Sequence, residues 1–323
     1  MLGELVSLIK KKNNILLLTH KDGAGDGDAL GSLLSLSLTL NKIGKNVIAF
    51  SDGPVLSHFN FLPKIEILNN HFNKNVLQET ELVLFLDFGD IDRSVADKNT
   101  MSEIFSNFET ILVDHHPLGT LHPFVRHRIW DTKAAAATEL IYFLVRELGV
   151  SLDSKIATCL LTGIFTDTNS FQNPNATSQT YRVASRLLDC GARVEKISSF
   201  ISQDKSSTVL QLWGKAMSRL WYNSKYNLYI TAIKEQDFLE NKISKEEING
   251  LTNFLNLHLD GNKAGLLVLI ESDGKIKGSL RTIREEIDVS ALAKLCGGGG
   301  HKKAAGFEIE GRLYIANSKW QIV

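Results

Sequence analysis

The chain has 323 residues, 43% hydrophobic and 22% charged, and its 36 Lys and Arg balance 36 Asp and Glu to a formal charge of zero. That composition excludes intrinsic disorder, collagen and a disulfide-stapled miniprotein, and at about 150 residues per domain it leaves room for two cores. A zero balance argues against wrapping long duplex DNA, which takes an excess of cations facing phosphates, while short anionic substrates fit.

The opening MLGELVSLIKKKNN puts apolar residues ahead of lysines, the reverse of a signal peptide, and the apolar stretch 29–40 is too short to span a bilayer. No membrane segment is expected. From there the first 170 residues repeat one pattern: a short apolar run, a polar cluster, then a helix-like segment. The runs are 15–19, 47–50, 82–86 and 111–113, and helical candidates are 29–43, 134–148, 154–165 and 178–188. Alternation of this kind predicts an α/β domain over 1–192 with a mostly parallel sheet flanked by helices. Residues 193–221 hold no proline and a single glycine, Gly214, and read as a helical connector. Beyond it, apolar runs at 228–233, 264–270 and 275–282, a short helix near 289–295 and a last strand at 307–309 predict a smaller α/β domain with a mixed sheet over 222–323. Three scattered cysteines, Cys159, Cys190 and Cys296, form neither a disulfide framework nor a zinc motif, which fits a reducing cytoplasm.

In parallel α/β sheets, ligands gather beyond the carboxyl ends of the strands. Three apolar runs here end in metal-ligand types. One gives Ile-Leu-Leu-Leu-Thr-His20, followed by Asp22, Asp26 and Asp28. Another gives Leu-Val-Leu-Phe-Leu-Asp87, then Phe-Gly-Asp90. A third gives Ile-Leu-Val-Asp114-His115-His116. Carboxylates gathered so closely repel one another unless cations hold them ionised. Mixed carboxylate and imidazole donors suit Mn²⁺, Fe²⁺, Co²⁺ or Zn²⁺ better than Ca²⁺, with Mn²⁺ first and Mg²⁺ also compatible. An Asp after a strand commonly caps a helix, and that alternative stays open for Asp28 and Asp114 taken singly. Asp22, Asp90 and Asp92 read as loop or capping residues.

Other phosphate and metal motifs fail on spacing. An EF-hand loop starting at Asp22 meets Ala24 and Leu33 where carboxylates are needed. A dinucleotide fingerprint through Gly23 and Gly25 meets Asp28 in place of its last glycine, and Gly297 to Gly300 is not followed by the Gly-Lys-Ser/Thr of a P-loop.

Thr-His20 with Asp26-Gly-Asp28-Ala-Leu-Gly-Ser, Asp87-Phe-Gly-Asp90, Asp114-His115-His116 and Gly-Ile-Phe-Thr-Asp167 resemble the four motifs of the DHH phosphoesterases. Gly278-Ser-Leu-Arg281-Thr and Gly297-Gly298-Gly299-Gly300-His301-Lys-Lys-Ala-Ala-Gly306 resemble the DHH-associated substrate-binding domain, so the likeness runs from residue 19 to 306. The resemblance implies two divalent ions: His20 and Asp26 on one, Asp28, His115 and Asp167 on the other, and Asp87 bridging. It implies Asp114 as a carboxylate orienting a ligand histidine and His116 facing the substrate phosphate. Arg281, Gly298, Gly299, Gly300 and His301 would bind substrate, the glycines by close backbone approach and an anion site at a helix start after Gly300. One departure stands out. The family usually has two residues and a proline between the first histidine and the Asp-x-Asp pair, whereas Lys21-Asp-Gly-Ala-Gly25 puts five there, which leaves Asp22 as an understudy to Asp26.

The resemblance points to hydrolysis of short 5′-phosphorylated oligonucleotides to mononucleotides, and of 3′-phosphoadenosine 5′-phosphate to AMP. Alternatives are a RecJ-like single-strand exonuclease, a phosphodiesterase for linear products of cyclic dinucleotides, and a non-catalytic nucleotide sensor. Short oligonucleotides or nucleoside bisphosphates are the expected partners, and a homodimer is compatible with the composition.

Overall fold

The computed structural model describes residues 2–202, 206–244, 248, 250–260, 263–316 and 319–322, and the chain divides into two units, Met1–Asp204 and Lys205–Val323. In the first, helix α1 (Leu2–Lys11) leads into β1 (Asn14–Leu18), α2 (Gly27–Lys42), β2 (Asn46–Phe50), β3 (Leu68–Asn69) and β4 (Leu82–Leu86). Then come α3 (Lys98–Asn107), β5 (Glu109–Asp114), β6 (His127–Trp130), α4 (Ala137–Glu147), α5 (Ser154–Asp167), α6 (Ser178–Asp189) and α7 (Val194–Ser202). The six strands run parallel in the order β3-β2-β1-β4-β5-β6.

Every residue of β4 is buried, as expected of a strand covered on both faces. Successive side chains point to opposite sides. Leu17, Leu84, Leu86, Ile111 and Val113 therefore join one core with α2, α4 and α5, while Leu16, Leu18, Phe85 and Leu112 join a second with Phe88, Met101 and Ile104. Two glycines let α2 and α5 approach closely: a Cβ on Gly31 would stand 2.4 Å from the Cys159 carbonyl oxygen, and one on Gly163 2.3 Å from Asp28 Oδ1. That proximity brings Asp28, near the start of α2, toward Asp167, at the end of α5.

The second unit begins its described part with α8 (Ser207–Ser218), β7 (Trp221–Asn223), β8 (Leu228–Ile233), α9 (Glu235–Asn241) and α10 (Leu251–His258). It continues through β9 (Gly265–Ser272), β10 (Lys275–Arg281), α11 (Val289–Leu295), β11 (Gly299–His301) and β12 (Ala304–Glu310), and closes on a hairpin of β13 (Leu313–Ala316) and β14 (Lys319–Ile322). Its sheet, β11-β12-β10-β9-β8-β7, is mixed: β8 and β9 pair in parallel and the other neighbours antiparallel. The stretch 193–221, expected as a connector, is mostly helical, with residues 203–205 outside the described ones. Its two helices serve different cores. Ile197 of α7 is fully buried in the first unit, whereas Val209, Leu212, Trp213 and Ala216 of α8 pack against Ile233, Leu266 and Val268 of the second.

Candidate metal centre

Connections from β1 lead outward through β2 and β3, and those from β4 outward through β5 and β6, so the sheet switches direction between β1 and β4. A crevice opens at the carboxyl ends of such a pair. His20 follows β1, Asp87 follows β4 directly, and Asp114 is the last residue of β5. The strand order is that of a dinucleotide-binding sheet, yet the glycine fingerprint is missing and acidic and imidazole side chains occupy the crevice instead.

The five residues between His20 and Asp26 fold into a 3-10 turn, Gly23–Gly25, in which the Gly23 N–H donates to His20 O at 3.0 Å and the Asp26 N–H to Gly23 O at 3.1 Å. The loop is absorbed locally, leaving His20 Nε2 3.7 Å from Asp26 Oδ2. Asp26 also caps α2, its Oδ1 accepting the Asp28 N–H at 2.9 Å, so its other oxygen faces the crevice. Burial pulls its pKa upward, but hydrogen bonds from His20 and from the Asp28 and Ala29 backbone N–H groups hold the carboxyl below its ordinary value. Asp22, the understudy, stays outside at 86% exposure, 4.0 Å from Arg93. Arg93 itself donates from its guanidinium to His20 Nδ1 at 2.8 Å, a contact that nothing in the sequence pattern indicated.

Asp28 is fully buried and serves α4 as a cap. The residue before that helix is Ala136, which has no capping side chain; Asp28 Oδ2 accepts the Ala137 N–H at 2.5 Å, and Oδ1 accepts the Thr138 N–H at 2.9 Å and the Thr138 hydroxyl at 2.6 Å. Beside it, His115 Nε2 lies 3.8 Å from Asp28 Oδ2, 3.7 Å from Asp87 Oδ1 and 3.1 Å from Asp167 Oδ2. Asp87 has a left-handed backbone, φ 63°, which for a non-glycine residue is a strained geometry found typically at functional sites.

These carboxylates stand too close to be ionised together without cations. Burial and the neighbouring Asp167 charge push Asp28 up to about 7. Burial, then the charges of Asp28, Asp26, Asp167 and Asp114, raise Asp87 well above its ordinary value. Burial alone would lower His115, but Asp167 and Asp28 overcome it and raise the imidazole to about 9. Asp87 Oδ1 and His115 Nε2 are both buried and make no hydrogen bond within the protein. A buried carboxylate oxygen left without a hydrogen bond is costly, and His115 Nε2 has only the ion-pair contact with Asp167 at 3.1 Å. Divalent ions of the mixed oxygen and nitrogen preference expected above would satisfy both. Three groups place ligand-type atoms within 4.8 Å of one another: His20, Asp26 and Asp87; Asp28, His115 and Asp167; and Asp87, His115 and His116.

In one detail the arrangement differs from expectation. Asp114 does not hold the imidazole of His115, whose Nδ1 meets the Ala134 carbonyl at 3.3 Å. Its Oδ1 instead receives His116 Nδ1 at 2.8 Å, while the two imidazoles lie side by side with ring centroids 4.5 Å apart. Burial opposes ionisation of Asp114, but His116 more than offsets it and lowers the carboxyl pKa. His116 is partly exposed at 43%. Its carbonyl accepts the indole N–H of Trp130 at 2.8 Å, a further neighbour that sequence reasoning missed.

In the second unit, Arg281 ends β10, half-buried, donating to Asn253 Oδ1 at 3.3 Å and to the Leu280 carbonyl at 2.9 Å. The glycine run contradicts the expected helix start after Gly300. Gly297, at φ 74°, terminates α11, with the Gly298 N–H returning to Ala293 O at 2.9 Å. Gly299, Gly300 and His301 then form β11, paired with β12. A Cβ on Gly298 would come 2.1 Å from the Gly306 carbonyl oxygen and one on Gly300 2.6 Å from Ala305 Cα, so these glycines are required by strand packing. His301 is exposed, and Arg284, read as a surface residue, pairs with Glu286.

Comparison with known proteins gives two family matches, the DHH family, N-terminal domain, over residues 14–164 and the DHHA1 domain over 228–318. The chain is 30% identical over 297 residues to the bifunctional oligoribonuclease and PAP phosphatase NrnA of Thermus thermophilus, covering 92% of this chain and 84% of that protein. To the Bacillus subtilis protein of the same name it is 27% identical over 316 residues, covering 95% and 92%. Among solved structures, an exopolyphosphatase-related protein from Bacteroides fragilis matches with a TM-score of 0.84 at 24% identity, over 95% of this chain and 90% of that one, a likeness of fold.

Proposed function

Because the chain belongs to the DHH family and carries a DHHA1 domain, we propose that this phosphoester hydrolase cuts short 5′-phosphorylated oligonucleotides to mononucleotides and converts 3′-phosphoadenosine 5′-phosphate to AMP. The observation that supports this best is the convergence of His20, Asp26, Asp28, His115 and Asp167 around Asp87, whose Oδ1 is buried without a partner. Two divalent ions, Mn²⁺ foremost, are the proposed cofactors, with His20 and Asp26 holding one, Asp28, His115 and Asp167 the other, and Asp87 shared. Such ions supply an activated water and offset charge on phosphoryl oxygens.

The protein's own groups do the remaining work. Asp114 fixes the proton of His116 on Nδ1 or shares it, which leaves Nε2 turned outward to hold or donate a proton at a phosphoryl or leaving-group oxygen. Burial of Asp87 and Asp28 keeps bulk water from screening the site. Arg281, Gly298, Gly299, Gly300 and His301 are the proposed substrate-binding residues of the second unit, the arginine and histidine as donors to a phosphate. No described helix is long and apolar enough to cross a membrane, and a cytoplasmic setting among short nucleic-acid fragments is proposed.

Initial rates with Mn²⁺ against chain length test the reading. Oligomers of about two to five nucleotides are expected to react fastest. Equal rates on long strands would indicate an exonuclease of the RecJ kind, and binding of a dinucleotide without release of mononucleotide would indicate a sensor.

A further inference from the structure

Trp130 lies at the carboxyl end of β6, in register with Asp114 of β5, and its indole N–H is tied to the carbonyl of His116 at 2.8 Å. Its ring meets the buried His122 at a T-shaped angle of 78°, with centroids 5.6 Å apart. The indole is thus anchored at its N–H and against one neighbouring ring, yet the residue remains 37% exposed. A large apolar surface left partly open is common; one pinned to the backbone of a residue beside a phosphoester-hydrolysing centre has a more specific use. A substrate phosphate carries a ribose and a base, and every base offers a π face that stacks on an aromatic side chain without regard to sequence. The other lining groups described above are carboxylates and imidazoles, so the indole is the broad apolar surface among them.

We propose that Trp130 is a nucleobase platform, stacking one of the bases that flank the scissile phosphate and so making the enzyme selective for nucleotides over simple phosphate esters. This rests on the oligonucleotide reading given above and adds a specificity-determining residue to it. The anchoring contacts give the platform its pre-organisation, since a ring already held in place loses little freedom when a base settles on it.

Two measurements test this. In the full chain with Trp213, Trp221 and Trp320 changed to Phe, Trp130 is the remaining indole. AMP with Mg²⁺ should quench its fluorescence, and ribose 5-phosphate should not. Equal responses to the two would overturn the platform. Should those three changes disturb folding, a second arm uses single variants of the otherwise unaltered chain. Trp130→Ala is expected to raise KM for the dinucleotide pApA by about tenfold relative to its effect on a dinucleotide abasic at one position. Trp130→Phe, which keeps a ring and loses the N–H, should restore most of that loss. If Phe behaves like Ala on both substrates, the residue acts only by holding the His116 backbone, and the proposal fails. An AMP-specific quench in a protein that does not cleave pApA would instead retain the platform and sink the hydrolase reading.

Discussion

Asp28 and Thr138 are 110 residues apart in sequence, and yet the Asp28 carboxylate accepts both the backbone N–H and the hydroxyl of Thr138 as if it were the helix's own cap. One carboxylate therefore anchors α4 and faces His115, which couples the integrity of the fold to the chemistry of the site.

That double duty separates two acidic residues of the same group. Asp28→Ala strips the buried N–H donors of Ala137 and Thr138 and should cost about 1–3 kcal/mol even in chelator. Asp167→Ala, on a side chain 25% exposed, should leave the chelated protein nearly as stable while abolishing the ion-induced rise in Tm. Thermal unfolding with and without Mn²⁺ reads both effects; equal losses in chelator would contradict the capping role.

The protonation of the cluster gives the metal-free protein a distinct pH dependence. Asp28 binds its proton more tightly folded than unfolded, so that contribution is complete below the ordinary value of 3.8 and is lost as pH rises through about 7. His115 behaves likewise, complete below 6.5 and lost through about 9. In chelator, Tm should fall by about 5 °C or more between pH 5 and 9. Excess Mn²⁺ should oppose that fall, because ions require ionised carboxylates and neutral imidazole. A metal-free Tm that climbs over this interval would refute the assignment.

His116, 43% exposed, is held through Nδ1 by Asp114 and lies 3.7 Å from Asp87 Oδ1, but it is not one of the proposed ion holders. Its replacement in His116→Ala should lower kcat by about 10²- to 10⁴-fold. Calorimetric titration with Mn²⁺ should show the ions binding nearly as before; a matching loss of ion affinity would place His116 among the ligands.

Arg93 cannot accept a hydrogen bond, so its contact makes His20 Nδ1 the acceptor and leaves the neutral ring's proton on Nε2. An ion taking the Nε2 lone pair must move that proton, and Arg93 then has to turn away. Arg93→Met should strengthen the weaker Mn²⁺ site by about tenfold, roughly 1.4 kcal/mol. Weaker binding in that variant would mean the guanidinium supports the site.

Most of the first unit was legible because a covered parallel strand must be apolar along its whole length and must end where polar side chains resume. The runs ending at His20, Asp87 and Asp114 therefore announced both strands and site. The edges were harder: β3 has two residues, and β6, with its pattern of half-buried and exposed positions, carries no apolar run. The glycine run did not open a helix as expected: Gly299 and Gly300 lie across from Gly306 and Ala305 in a strand pair, a partnership between separate segments that consecutive glycines do not announce.

Residue order alone thus determined which chemistry was available: alternating apolar runs set the parallel sheet, and the side chains at their ends were of the kinds that hold divalent ions. Tertiary structure decided which of them meet. The cap on α4, the arginine on His20 and the indole beside the crevice all depend on contacts between separate segments, and local periodicity carries no information about distances between segments far apart in the chain.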